Sequence, residues 1–206
     1  MGDAGLMGAH VMEFSDQRIR RVLSVFRTLA DYMGAHGQNS RESALHLSGR
    51  IGAIGRAVLA PTYVGGVDLE SLVLDELLLH AARPEQVLIS GTEVRLSPKA
   101  AELMSLAIHE LATNAVKYGA LCQSSAKISV AWEIVYLFGS RRLRFEWREA
   151  GVSIAADAPL TRGFGSELIE HVIARKLKGA GKLAFRADGV RCTIEIPLGE
   201  VRHHDG

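Results

Sequence analysis

"HELATNAVKYGAL", residues 109–121, begins as an ordinary amphipathic helix and then departs from one. Leu106, Ala107, Leu111, Ala115 and Val116 supply an apolar face. Glu110, Asn114 and Lys117 recur at i, i+4 and i+7, so a carboxylate, an amide and an ammonium share one stripe. The helix opens upstream at Ser97, an N-cap residue, with Pro98 at its first position, and the pattern runs over 97–121.

Outward from this stretch the chain alternates helical and strand periods. On the N-terminal side, 67–82 reads as a helix with Asp68 as N-cap, 86–91 as a short strand and 94–96 as a second extended piece. On the C-terminal side, 126–135 and 141–150 read as strands joined by the hairpin turn "LFGS". A loop follows over 152–163. Then come a helix over 166–179 that stops at Gly179, and two strands, 181–187 and 190–198, closed around "DG". The segment from 200 onward reads as a frayed tail. Before all of this, Met12, Ile19, Val22, Phe26, Leu29 and Met33 follow a 3–4 spacing. Ala44, Leu47, Ile51, Ile54 and Val58 repeat it after the turn "GAHGQNS". Two such helices make an antiparallel hairpin with a narrow apolar seam, and pairing of two hairpins into a dimeric four-helix bundle buries that seam. The fold class is α+β, with a helix layer on one face of a mixed sheet. The expected organisation is a helical hairpin over 1–64, a larger unit over 65–200 and a flexible tail over 201–206.

Composition limits the function. The 206 residues carry a formal net charge of +1, which speaks against nucleic-acid binding by bulk electrostatics. Cys122 and Cys192 lie far apart without metal-ligand spacing, as expected for free thiols in a reducing compartment. No apolar run approaches the roughly 20 residues of a membrane span, and the N-terminus lacks the basic start and apolar stretch of a signal peptide. A cytoplasmic protein without membrane contact is expected.

Three separated stretches carry candidate chemistry. On the long helix, the Asn114 amide oxygen suits Mg²⁺ beside phosphates, Lys117 can balance phosphate charge, and Glu110 can orient or deprotonate a nucleophile. In "WREAG" (147–151) the Glu149 carboxylate can accept from an adenine amino group. In "TRGFGSEL" (161–168) Gly163 and Gly165 let backbone N–H groups approach phosphate at a helix start. Each has a plainer alternative: a solvated helix face, strand alternation with Trp147 inside and its neighbours outside, and a tight turn.

Taken in order, "HELATNAVKYGAL", "WRE" and "RGFGSELIE" resemble the N-box and glycine boxes of the HWE histidine kinases, within the ATPase group that includes sensor kinases, gyrase and Hsp90. His109 and Trp147 with Glu149 match that family's signature, and "GVRCTIEIPL" is similar to its last strand. The resemblance implies a GHKL-type α/β sandwich that binds ATP and Mg²⁺, preceded by a dimerisation and phosphoacceptor hairpin. It places Glu110 as the catalytic glutamate and Asn114 as the Mg²⁺ ligand. His109, Lys117, Tyr118, Glu149, Gly151, Gly163 and Gly165 fall at nucleotide-site positions. The chemical role of His109 stays open, a hydrogen-bonded histidine at the helix edge being the alternative. Implied partners are a response-regulator receiver domain, a partner histidine kinase and a second copy in a homodimer.

The departure lies in the first helix. In "QRIRRVLSVFRTLA" (17–30) Gln17 stands at the position of the family's phosphoacceptor histidine, and an amide has no nucleophilic ring nitrogen. His10, seven residues earlier on the same heptad position, is a weak substitute. Arg18, Arg20, Arg21 and Arg27 form a solvated face or a surface for an acidic receiver domain. The first helix begins near the start of the sequence, so any input signal is expected from elsewhere. Three readings result: a two-component kinase core acting in trans or without self-phosphorylation, a pseudokinase scaffold that dimerises and docks a regulator or another kinase, and an ATPase or serine-directed kinase that would need no hairpin.

Overall fold

The computed structural model describes residues 41–59, 66–80, 82–152, 163–186 and 189–201. The first helix of the expected hairpin, with His10 and Gln17, lies outside the described residues, as do most of the loop over 152–163 and the end of the tail.

Helix α1 (Arg41–Leu59) covers the second hairpin helix. Its buried side is Ala53, Ile54 and Ala57, while Ile51 is half-exposed. That side packs on α3 (Pro98–Lys117), where Ser105 Oγ donates to Ala53 O at 2.8 Å. Ile54 and Ala57 join the same buried cluster as the residues downstream. The expected seam for a second hairpin is thus partly used within the chain. The approach is close: a Cβ on Gly49 would lie 2.7 Å from His109 Nε2, so α1 crosses α3 at a residue without a side chain.

Strand β1 (Val67–Asp68) leads into α2 (Leu69–Leu79), where Asp68 caps by accepting from the Ser71 N–H at 2.9 Å. β2 (Val87–Gly91) and β3 (Arg95–Leu96) follow, and β1 pairs with β3. Ser97 caps α3 with Pro98 in its first turn, and every α3 residue from Ala100 to Ala112 is buried. This helix ends at Lys117, not near Leu121. Tyr118 N–H closes on Asn114 O at 2.8 Å, and Ala120–Cys122 forms a separate 3₁₀ turn.

β4 (Lys127–Leu137) and β5 (Ser140–Ala150) are joined by Phe138 and Gly139, with φ of 52° and 75°, the type I′ geometry that matches strand twist. With β6 (Ala180–Arg186) and β7 (Gly189–Pro197) they complete a sheet in the order β2-β4-β5-β7-β6, parallel only at β2–β4. The period of two is clear in β5: Leu143, Phe145, Trp147 and Glu149 are buried, and the arginines between them point away. The outer face carries ion pairs such as Arg144–Glu195 at 3.0 Å.

The helical run over 164–177, α4, comprises Phe164–Glu167, a π turn over Leu168–Val172 and Ile173–Leu177. It starts two residues earlier than the spacing predicts. Its left-handed terminal residue is Lys178 (φ 49°), not Gly179, and Lys178 Nζ pairs with Glu200 Oε1 at 2.6 Å. Gly179 is small for another reason: a Cβ there would meet Glu195 O at 2.6 Å. The expected tail is also corrected at its start. Leu198–Val201 is a helical turn (α5), Val201 is fully buried, its carbonyl accepts from the Ser97 N–H, and Ser97 Oγ donates to Glu200 O at 3.0 Å. No helix among the described residues is long and apolar enough to cross a membrane.

Candidate nucleotide site

The expected residues gather around the C-terminal half of α3, but the stripe is not uniform. Asn114 and Lys117 are exposed, whereas Glu110 is buried. Its burial has a specific cause. Arg50 of α1 reaches it in a bidentate pair, Nε to Oε1 at 2.7 Å and Nη2 to Oε2 at 3.2 Å. The same guanidinium lies 4.1 Å from the ring centre of Phe164, at the start of α4. One turn earlier on α1, His46 Nε2 accepts from Lys117 Nζ at 2.6 Å. Helix α1 therefore engages both charged members of the stripe.

Gly163 and Gly165 lie at the same end. A Cβ on Gly165 would stand 3.1 Å from Glu110 Cβ, so the start of α4 packs against the Glu110 stem. Among the described residues, a Cβ on Gly163 would meet nothing within 4 Å. The backbone there can approach a ligand.

Glu149 marks the other end. It stands opposite Ile128 in the sheet, on the inner face with Trp147. The period of two puts it there, and inside the fold each carboxylate oxygen meets a donor: the Ala120 N–H at 2.7 Å on Oε2 and the Trp147 indole N–H at 3.2 Å on Oε1. Burial pushes this carboxyl above its ordinary value, and the Ala120 and Trp147 hydrogen bonds offset part of that. A Cβ on Gly119 would overlap Glu149 Oε2, so a glycine admits the carboxylate to the end of α3. Gly151, with φ 76°, turns the chain out of β5, and Tyr118, at the C-terminal cap of α3, is 71% exposed. By the helical rise the Glu110 and Gly119 positions are about 13 Å apart, the two ends of an elongated site.

His109 belongs to a different group. Its Nδ1 donates to Glu76 Oε1 at 2.5 Å, and its ring lies against Gly49. Glu76, 2% exposed, also pairs with Arg56 and with His80 Nε2 at 3.3 Å. Burial alone would raise Glu76, but the contacts with His109, His80 and Arg56 outweigh it and hold the carboxyl well below its ordinary value.

Sequence reasoning missed Arg50, Phe164 and this Glu76 cluster. A signal existed. Leu47, Arg50, Ile54 and Ala57 share a 3–4–3 spacing, and Leu72, Glu76 and His80 recur at i, i+4 and i+8 on α2. A charged residue inside such a stripe is buried and needs a partner.

The chain is 32% identical over 193 residues to blue-light-activated histidine kinase 1 of Erythrobacter litoralis, covering 86% of this chain and 51% of that protein. It is 34% identical over 109 residues to the blue-light-activated histidine kinase of Brucella anthropi, covering 53% of this chain and 22% of that one. It thus spans about half the length of the Erythrobacter relative and less of the other. Among solved structures, the EL346 blue-light activated histidine kinase of Erythrobacter litoralis superposes with a TM-score of 0.62 at 16% identity, over 91% of this chain and 61% of that one. Its histidine kinase domain superposes with a TM-score of 0.55 at 17% identity, over 93% and 95%. No family model matches the sequence. The chain is homologous to blue-light-activated histidine kinases and has the mixed α+β fold of a histidine kinase domain.

Proposed function

We propose that the chain is an HWE-type, GHKL-like kinase core of two-component signalling that binds ATP with Mg²⁺ along α3, and that it phosphorylates a partner in trans or works without phosphorylating itself. The observation that carries this reading is the placement of the Gly163–Gly165 turn beside Glu110 and of Glu149 just beyond the C-terminus of α3, with the exposed Asn114 and Lys117 between them in the helix. The residues fit the group. An ionised carboxylate has about four acceptor positions, and two donors on Glu149 leave room for an adenine amino group. Gly163 leaves open space where a phosphate would lie, and the exposed Asn114 amide is a hard oxygen ligand for Mg²⁺. When bound, Mg²⁺-ATP would supply the transferable phosphoryl group. Lys117 balances its charge, Glu110 orients the attacking group, and Tyr118 and Gly151 border the base. A cytoplasmic homodimer, with hairpin helices over 1–64 and the ATP-binding unit over 65–200, completes the reading.

Two observations favour a second reading, a pseudokinase scaffold that docks a response regulator or another kinase. Gln17 cannot accept a phosphoryl group, and Arg50 neutralises Glu110 in this arrangement. Calorimetric titration with Mg²⁺-ATP, followed by incubation with labelled ATP and a candidate receiver domain or kinase, separates the two. The kinase reading expects binding that Asn114→Ala weakens at least tenfold and label on the partner. Binding without transfer leaves the scaffold. No binding up to millimolar nucleotide, with Asn114→Ala unchanged, ends the nucleotide-site reading.

A further inference from the structure

The Glu76 cluster does no work in the site above, and it has the make-up of a metal site. Glu76 and His80 stand four residues apart at the end of α2, on one face, and His109 faces them from α3. Glu76 Oε1, His80 Nε2 and His109 Nδ1 all lie within 4.8 Å of one another. The two imidazole rings are 5.8 Å apart between centres, close to the about 5–6 Å expected of two rings sharing one tetrahedral ion. Both rings aim a nitrogen at one carboxylate oxygen, yet only His109 makes a hydrogen bond with it. His80 Nε2 is buried, lies 3.3 Å from Oε1, and makes no hydrogen bond among the described residues. A buried ring nitrogen in that state calls for an occupant.

We propose that Glu76, His80 and His109 form a three-ligand site for a borderline-soft divalent cation of the Zn²⁺ class, pinning α2 to α3 behind the nucleotide helix. Two imidazoles and one carboxylate are a recurrent Zn²⁺ donor set, which leaves the fourth tetrahedral position to water. Arg56 opposes the ion, since its guanidinium holds the same carboxylate by the other oxygen, Oε2. The guanidinium side chain is 32% exposed, so water screens part of that repulsion. Binding also requires the 2.5 Å His109–Glu76 hydrogen bond to open and Nδ1 to present its lone pair to the ion.

The test uses the full chain stripped of metal with a chelator. Zn²⁺ is titrated in competition with a chromophoric chelator, and Co²⁺ is titrated for the intense ligand-field absorption of a tetrahedral ion. One ion per chain is expected, with an upward shift of the unfolding temperature. His80→Ala, at a partly exposed side chain, should keep the fold by circular dichroism and weaken binding at least tenfold. Glu76→Gln should weaken it too, and Arg56→Met should tighten it. A variant with His203→Ala and His204→Ala should bind as the parent does. Absence of saturable binding, binding indifferent to His80→Ala, or binding lost with the two tail histidines would overturn the proposal. None of these readouts uses nucleotide, so they stand apart from the kinase reading.

Discussion

Gly119→Ala is expected to cost about 3 kcal/mol or more and to disable the Glu149 end of the site. The backbone is not the reason: Gly119 has φ −115°, which alanine accepts. The obstacle is space. The new Cβ would overlap Glu149 Oε2, stand 3.0 Å from Glu149 Cδ and lie 2.8 Å from Ala115 Cα, which is backbone and cannot rotate aside. Relief requires the carboxylate to leave the Ala120 N–H and the Trp147 indole N–H. Hydrogen bonds to charged groups contribute about 1.5–3 kcal/mol each, so losing both costs roughly 3–6 kcal/mol before any relaxation. Folded domains have about 5–15 kcal/mol in total. In urea, with a slope of about 1–3 kcal/mol per molar, a cost of about 3 kcal/mol lowers the unfolding midpoint by about 1–3 M. Glu149→Ala removes the main obstacle, so Gly119→Ala should cost much less in that background. A Gly119→Ala variant within about 0.5 kcal/mol of the parent, or identical costs in both backgrounds, would refute the packing described here.

Arg50→Met leaves the buried Glu110 carboxylate without its partner and should destabilise by about 2–4 kcal/mol in urea unfolding, with much of the loss recovered by adding Glu110→Met. Gly163→Ala meets no atom of the described residues and should leave stability within about 0.5 kcal/mol, while lowering Mg²⁺-ATP affinity in calorimetry if phosphate lies there. Glu76 is held below its ordinary value of 4.5 in the fold, so below about pH 4.5 the unfolded chain takes up a proton that the native carboxylate resists. Its contribution is thus complete above that pH and is lost as the pH falls. Glu149 is shifted upward and acts in the opposite sense, so Glu76→Gln should flatten the acid side of a stability–pH curve measured by thermal unfolding.

Local rules made much of this fold legible. Ser97–Pro98, Asp68 and "LFGS" each act through neighbours in sequence, and each stands where the spacing puts it. The alternation in β5 is equally local. What stayed hidden depends on contacts between distant segments. Glu110 looked like one member of a solvated stripe, and Arg50, sixty positions away, pairs with it while the start of α4 packs on its stem. Val201 looked like a tail, yet it fills the core where α3 begins. Lys178 took a conformation usually left to glycine, and its exposed ammonium pairs with Glu200. For α1, periodicity identified the apolar side but not what covers it, and α3 of the same chain covers part of it.

The chain has two tryptophans, and they report on different places. The Trp147 indole N–H bonds to Glu149, and that of Trp132 to Thr92 O at 2.8 Å. Two indole resonances in a ¹⁵N-labelled sample, followed during addition of Mg²⁺-ATP, therefore test directly whether Glu149 is the base-binding end of a nucleotide site. A saturable shift of the Trp147 resonance with Trp132 unmoved is the predicted result. Two resonances that stay fixed at millimolar nucleotide, or a shift of Trp132 alone, would contradict it.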